Sequence, residues 1–64
     1  MLYDFLFELT EFSENEGELI LCEEENIVAA YDTLINKHGF LPEEIRFIDR
    51  MSVEDGAILG YDTY

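Results

Sequence analysis

Few of the side chains that commonly carry out catalysis are present in this 64-residue chain. It contains one histidine, His38, one cysteine, Cys22, and two serines, Ser13 and Ser52. None of the motifs for zinc-dependent hydrolysis, phosphate binding by a glycine-rich loop or dithiol redox chemistry occurs. His38 follows a predicted helix, where contact with the helix dipole is a simpler role than general base catalysis. The sequence therefore predicts a protein that is not an enzyme and that uses no cofactor or metal.

Cys22 lies at the end of an apolar run, Glu18–Cys22. A lone cysteine cannot form an intramolecular disulfide. Free cysteines are most often buried as small apolar side chains. We therefore predict a buried thiol, with a reactive thiol as the alternative.

Carboxylates are the abundant ionisable groups. Sixteen Asp and Glu residues face three Lys and Arg residues, giving a formal net charge of −13. Paired carboxylates recur so often that no single pair stands out as a general acid and base. The acidic loop lacks the ligand spacing of an EF-hand, so weak binding of a divalent cation remains only an alternative. Because this charge repels phosphate, direct binding of nucleic acid is excluded.

The acidic residues are concentrated in the first part of the chain. Nine of them lie in residues 1–25, which contain no Lys or Arg. We predict one negative surface, formed by a first hairpin and the start of the following helix. Its candidate partner-binding residues are Glu11, Glu14, Glu16, Glu18, Glu23, Glu24, Glu25 and the aromatic Phe12, with Asp4 and Glu8 as outer members and Tyr64 as a second aromatic anchor. Solubility of a small domain needs a net charge of only about 2–8, so −13 suggests a further role, although a merely solvated face is the alternative.

A helix over residues 24–38 is the clearest element that could position these groups. Its apolar residues recur at offsets of one, three and four, and they are Ile27, Val28, Tyr31, Leu34 and Ile35. Acidic residues precede this face and Lys37 lies in its last turn, as the helix dipole favours. Gly39 is suited to end the helix.

The segments before the helix predict a hairpin. Residues 2–12 alternate apolar and polar side chains and are rich in aromatic residues, which is typical of a strand. Residues 13–17 are polar and end in glycine, as in a hairpin loop. Residues 18–22 form a short apolar run that suits the second strand.

The segments after the helix are less clear. Residues 43–53 fit a strand. They also fit a helix, for which Pro42 would be a favourable first residue. We favour the strand because the following Asp55–Gly56 pair is typical of a tight hairpin turn. Residues 57–61 would then pair back on the strand.

These elements predict one α+β domain over residues 1–64, with the order ββαββ and one helix on an antiparallel sheet of two hairpins. A content of 48% hydrophobic residues is sufficient for folding. The predicted core consists of Phe5, Phe7, Leu9, Leu19, Leu21, Ile27, Tyr31, Leu34, Ile35, Ile45, Phe47 and Leu59. With no signal-peptide pattern and no apolar run of membrane-spanning length, we expect a soluble cytoplasmic protein.

In size, charge and lack of catalytic residues, the chain resembles small acidic inhibitors of phages and mobile elements. These include anti-CRISPR proteins, antirestriction proteins and inhibitors of uracil-DNA glycosylase. The resemblance covers the whole chain without a specific motif. It implies a non-catalytic inhibitor that occupies the basic nucleic-acid-binding surface of a bacterial enzyme, such as a Cas or restriction nuclease, often as a DNA mimic.

The alternative function is a small structural or adaptor module. It would act through a protein–protein interface or as a homodimer, using an open sheet edge and exposed Leu6, Phe12 and Ile48. A regulator that touches RNA polymerase is a weaker third possibility. Binding that weakens with salt would favour the charged inhibitor, whereas binding insensitive to salt would favour an apolar interface.

Overall fold

A computed structural model describes all 64 residues and shows a four-stranded mixed sheet with a short helix on each face. The strands are β1 (Tyr3–Leu9), β2 (Leu19–Glu24), β3 (Ile45–Ser52) and β4 (Asp62–Thr63). Helix α1 (Ile27–Asp32) continues into a π-helical turn (Thr33–Lys37), a 3₁₀ turn (Pro42–Glu44) precedes β3, and helix α2 (Val53–Leu59) precedes β4. No helix is long and apolar enough to span a membrane.

The strand order across the sheet is β3-β1-β2-β4. β1 lies antiparallel to both β2 and β3, while β4 lies parallel to β2. Two connections therefore join parallel strands: α1 links β2 to β3, and α2 links β3 to β4. The connection through α1 crosses one face of the sheet, and the connection through α2 crosses the other face in the opposite direction. Both crossovers therefore have the same handedness, as expected for connections between parallel strands.

The main core lies between the sheet and α1. Its fully buried residues are Phe5, Phe7, Leu9, Ile20, Cys22, Ala30, Leu34 and Ile45. The ring of Phe7 meets Tyr31 edge-on at 5.2 Å between centroids, and Phe47 at 5.8 Å. Burial of the predicted residues on β1, of Leu34 and of Ile45 is thus confirmed, and Phe47 packs on the core although it is partly exposed.

The prediction for β2 placed the wrong residues against the helix. Phe5 pairs with Cys22 and Phe7 with Ile20, so Ile20 and Cys22 share the core face. Leu21 is buried, but it pairs with Leu6 on the opposite face. Because side chains alternate along a strand, a shift of one residue exchanges the two faces. Leu19 is only half-buried.

The predicted helix is confirmed, but it begins later than expected. The side chain of Asn26 caps it by accepting a 2.8 Å hydrogen bond from the amide of Ala29. Residues 23–24 belong to β2 instead. Val28, predicted on the apolar face, is 74% exposed. Gly39, with φ of 76°, follows the end of the helical segment as predicted.

Strand β3 is present, as favoured over the helix, and it forms one edge of the sheet. Its pairing with β1 shifts by one residue, leaving Ile48 as a bulge between Phe47 and Asp49. The carboxylate of Asp49 accepts a 2.8 Å hydrogen bond from the amide of Arg50. Bulges and charged side chains are devices that protect a sheet edge from pairing with another chain.

The predicted second hairpin is wrong. Ser52 caps α2 by accepting a 3.1 Å hydrogen bond from the amide of Asp55, and Asp55–Gly56 lie inside this helix rather than in a turn. The chain then pairs with β2 in parallel instead of returning along β3. The order is ββαβαβ, and Leu59 lies outside the core with 44% of its surface exposed.

Candidate partner-binding surface

The loop that joins β1 to β2 is held by its own backbone. The amide of Gly17 donates to the carbonyl of Leu9 at 2.8 Å, and the amide of Leu9 donates to the carbonyl of Glu18 at 2.8 Å. Within the loop, the amide of Ser13 donates to the carbonyl of Thr10 at 3.0 Å. Residues 10–18 are therefore held by these backbone hydrogen bonds, and all of them except Thr10 and Ser13 are exposed.

This loop carries most of the predicted contact residues. Its exposed members are Glu11, Phe12, Glu14, Glu16 and Glu18. Phe12 is 66% exposed and is the aromatic side chain among these carboxylates. We call these five residues the acidic loop surface. All five lie on one loop, and Glu11, Phe12 and Glu16 line a common cleft.

One further acidic residue, Glu43, joins the acidic loop surface from a distant part of the sequence. The amide of Thr10 donates to the carbonyl of Glu44 at 2.8 Å, and its hydroxyl donates to the carbonyl of Glu43. A cleft of about 300 Å³ forms between the loop and this 3₁₀ turn. The sequence analysis missed Glu43 because only the pairing of β1 with β3 brings it here.

One arginine lies at this end of the sheet. Arg46 forms an ion pair with Glu8 across β1 and β3, and it also lines the cleft of the acidic loop surface. Glu8 is therefore partly neutralised rather than free for a partner. Because both side chains are substantially exposed, this pair contributes little to stability.

The other three predicted glutamates lie at the opposite end of the hairpin. Glu24 accepts a 2.6 Å hydrogen bond from the hydroxyl of Thr33, which holds α1 on the sheet. Glu23 is half-buried and lies opposite Asp4 in the strand register. Glu25 is exposed beside a cleft of about 500 Å³. Only Glu25 of these three is fully available to a partner.

The predicted single negative surface is therefore divided. Glu18 and Glu24 are six residues apart along β2 and its preceding residue, which corresponds to about 20 Å in an extended strand. The longest dimension of the molecule is 30 Å. The acidic loop surface and the group around Glu25 consequently occupy opposite ends of the sheet.

The prediction of Asp4 as an outer member of the surface is wrong, and the ring of Tyr64, the second predicted aromatic anchor, is partly covered. Asp4 is 3% exposed, so it cannot meet a partner in this structure. Burial raises the pKa of its carboxyl group, and the nearby charge of Glu23 raises it further. Tyr64 is half-buried and its ring packs edge-on against His38 at 4.9 Å and Phe40 at 5.5 Å. Tyr64 therefore packs on the end of the helical segment, and only part of its ring is available to a partner.

The buried thiol predicted for Cys22 is confirmed, since the residue is fully buried between the sheet and α1. Burial, together with the charges of Glu24 and Asp4, raises its pKa to about 11. Because this pKa lies far above neutral pH, very little of the thiolate, which is the reactive form, exists at pH 7.

We expect Cys22 to resist alkylation by iodoacetamide at pH 8 in the folded protein. In about 8 M urea the thiol becomes exposed with an ordinary pKa near 8.5, and it should then be labelled completely. Mass spectrometry of both samples gives the extent of labelling. Rapid labelling of the folded protein would contradict the burial seen here.

No three side chains among the histidine, cysteine, aspartate and glutamate residues form a group that could hold a metal ion. The arrangement offers exposed carboxylates and one exposed aromatic ring on a single hydrogen-bonded loop, which suits contact with a basic surface. No protein-family model, curated protein or solved structure matches this chain.

Proposed function

We propose that this protein is a non-catalytic inhibitor that binds the basic nucleic-acid-binding surface of a bacterial defence or DNA-processing enzyme as a DNA mimic. An anti-CRISPR protein acting on a Cas nuclease is the favoured type, and a restriction nuclease is a second kind of target. It would act in the cytoplasm of the bacterial host during evasion of host defence by a bacteriophage. The observation that carries this proposal is the acidic loop surface, displayed on an internally bonded loop in a chain of charge −13.

The order of the loop matters for affinity. A disordered acidic segment loses conformational entropy when it binds, whereas a loop fixed by its own hydrogen bonds has already lost it. The carboxylates can meet arginine side chains as paired, charge-assisted hydrogen bonds of the kind that arginine makes with phosphate. Phe12 adds an aromatic contact of the type that often dominates an interface.

The spacing of the negative charge also supports mimicry. The hairpin separates its two acidic ends by about 20 Å, and successive phosphates of one strand of B-DNA rise by about 3.4 Å along the helix axis. The two ends thus span about six phosphate steps. A groove that holds a short duplex could contact both ends at once.

The adaptor alternative has less support from the sheet edges. β3 is the long edge strand, but its bulge at Ile48 and the Asp49–Arg50 hydrogen bond both hinder pairing with a second chain. Leu6, predicted to be exposed, is half-buried, although Ile48 and Phe12 are exposed as predicted. A homodimer through this edge is the second, less favoured proposal. Sedimentation of the isolated protein tests it by measuring whether the mass in solution is that of a monomer or of a dimer.

Direct binding to a panel of purified Cas and restriction nucleases tests the inhibitor proposal. We expect affinity measured by calorimetry to fall steeply between about 0.05 and 0.2 M salt, because exposed ion pairs are screened. At a fixed salt concentration, the protein should displace a labelled DNA duplex from the same nuclease. Binding that is unaffected by salt, or that leaves DNA bound, would show that the protein does not mimic DNA.

A further inference from the structure

Asp4 is a buried carboxyl group without the partners that such groups usually have. It lies within β1, is 3% exposed, and its Oδ1 atom accepts no hydrogen bond. Buried charged groups are normally paired or fully hydrogen-bonded, because transfer of an unpaired charge out of water is costly. The ionised form of Asp4 is therefore poorly accommodated in this structure.

Helix α2 is the element that covers Asp4. A Cβ atom added to Gly56 would lie 2.6 Å from Cγ and 2.8 Å from Cβ of Asp4, closer than real Cβ atoms approach their neighbours. Only glycine lets the helix backbone rest directly on this side chain. Gly56 is also the one buried residue of α2.

The charged groups around Asp4 are negative. Glu23 lies opposite it on β2, and Glu54 and Asp55 lie in the first turn of α2. Its partner on β3 is the uncharged Met51. The neighbouring base, Arg50, pairs with Phe5 on the other face of the sheet and lies 4.4 Å above the ring of Tyr3.

α2 is a short helix that leaves its large apolar residues near the C-terminal end exposed. It has only seven residues, and isolated helices of that length are unstable in water. Ile58 is 82% exposed and Leu59 is also exposed. The helix therefore depends on its contact with the sheet, and that contact lies over the unpaired carboxyl group.

We propose that α2 is a pH-dependent cover of the sheet, docked when Asp4 is protonated and released when Asp4 is ionised. Ionisation of Asp4 places a second negative charge beside Glu23. Release of α2 then lets water reach the Asp4 carboxylate. The inference concerns the face opposite α1 and does not rest on the proposed inhibitor function.

The direction of the pH dependence follows from proton linkage. With α2 released, Asp4 is hydrated and has an ordinary pKa of about 3.9. With α2 docked, burial and the charge of Glu23 raise the pKa. The docked state therefore binds the proton more tightly, so docking is favoured fully below the ordinary pKa. This advantage is lost as the pH rises through the raised pKa.

Amide hydrogen exchange of residues 57–59 tests the proposal. Between pH 4 and pH 8, and after correction for the intrinsic pH dependence of exchange, protection of these amides should fall as the pH rises, because the docked state binds the proton of Asp4 more tightly. Amides of β1 and β2 serve as the reference for global unfolding. In Asp4→Asn, whose side chain cannot ionise, the corrected protection of residues 57–59 should not change with pH.

An equal loss of protection in Asp4→Asn and in the parent protein would overturn the proposal. If Asp4→Asn does not fold, carbon-detected NMR of the parent supplies the second measurement. The chemical shifts of residues 57–59 should then change with the same midpoint as the carboxyl carbon of Asp4. Shifts that remain constant while Asp4 titrates would also overturn it.

Discussion

Leu34→Ala is expected to lower the free energy of unfolding by ~2–5 kcal/mol, as truncation of a buried leucine usually does. Leu34 is fully buried against the main core, at the point where α1 continues into its π-helical turn. Its removal would leave a cavity that the rigid sheet beneath cannot easily fill. Urea denaturation followed by circular dichroism measures the change.

Val28→Ala is the matched control on the same helix. Val28 is an apolar residue of the predicted face, yet most of its surface is exposed. We expect its truncation to change stability by less than about 0.5 kcal/mol. Equal effects of the two substitutions would mean that α1 presents a different face to the sheet.

Reversal of three charges in the acidic loop surface should have the largest effect on binding. In Glu14→Lys/Glu16→Lys/Glu18→Lys, three ion pairs are lost and three repulsions replace them. At about 1 kcal/mol for each reversal, affinity for the target nuclease should fall on the order of a hundredfold. A single Glu→Gln change should do little. Competition with labelled DNA measures the loss.

The control must separate local charge from net charge. Each reversal changes the charge by two units, so the triple variant goes from −13 to −7. Asp32→Lys/Glu54→Lys/Asp62→Lys has the same net charge, and all three residues are exposed outside the acidic loop surface. We expect this variant to bind nearly as well as the parent. Equal losses in both variants would show that net charge alone, and not the loop, determines binding.

Local sequence patterns predicted the first hairpin and the helix because the forces that form them are local. Alternation along β1 and the apolar recurrence that includes Leu34 each reflect one face packed against a core. The Asn26 cap has a local signal too, since asparagine before an apolar run is a common helix start.

The second half of the fold could not be predicted in the same way. The pair Asp55–Gly56 is typical of a hairpin turn. Ser52, three residues before Asp55, is instead typical of a residue that caps the start of a helix. The choice depends on Gly56 lying over Asp4, which is a contact between residues 52 positions apart. No local pattern contains that information.

The candidate surface shows the same limit. The exposed carboxylates of the loop followed directly from the sequence, because a polar hairpin loop has nothing to bury. The separation of these carboxylates from Glu25 did not follow from the sequence. The number of acidic residues in a segment does not show at which end of a strand each of them lies. The addition of Glu43 required the pairing of β1 with β3.

The paired strands of the hairpin fix the distance between the acidic loop surface and Glu25. Six consecutive residue pairs join β1 to β2, so this distance cannot lengthen or shorten without breaking the ladder. Among related nucleases with equally basic grooves, the protein would then select those whose arginine and lysine groups match its length. Resistance in a host enzyme could arise by moving one basic cluster along the groove, with no change in total charge.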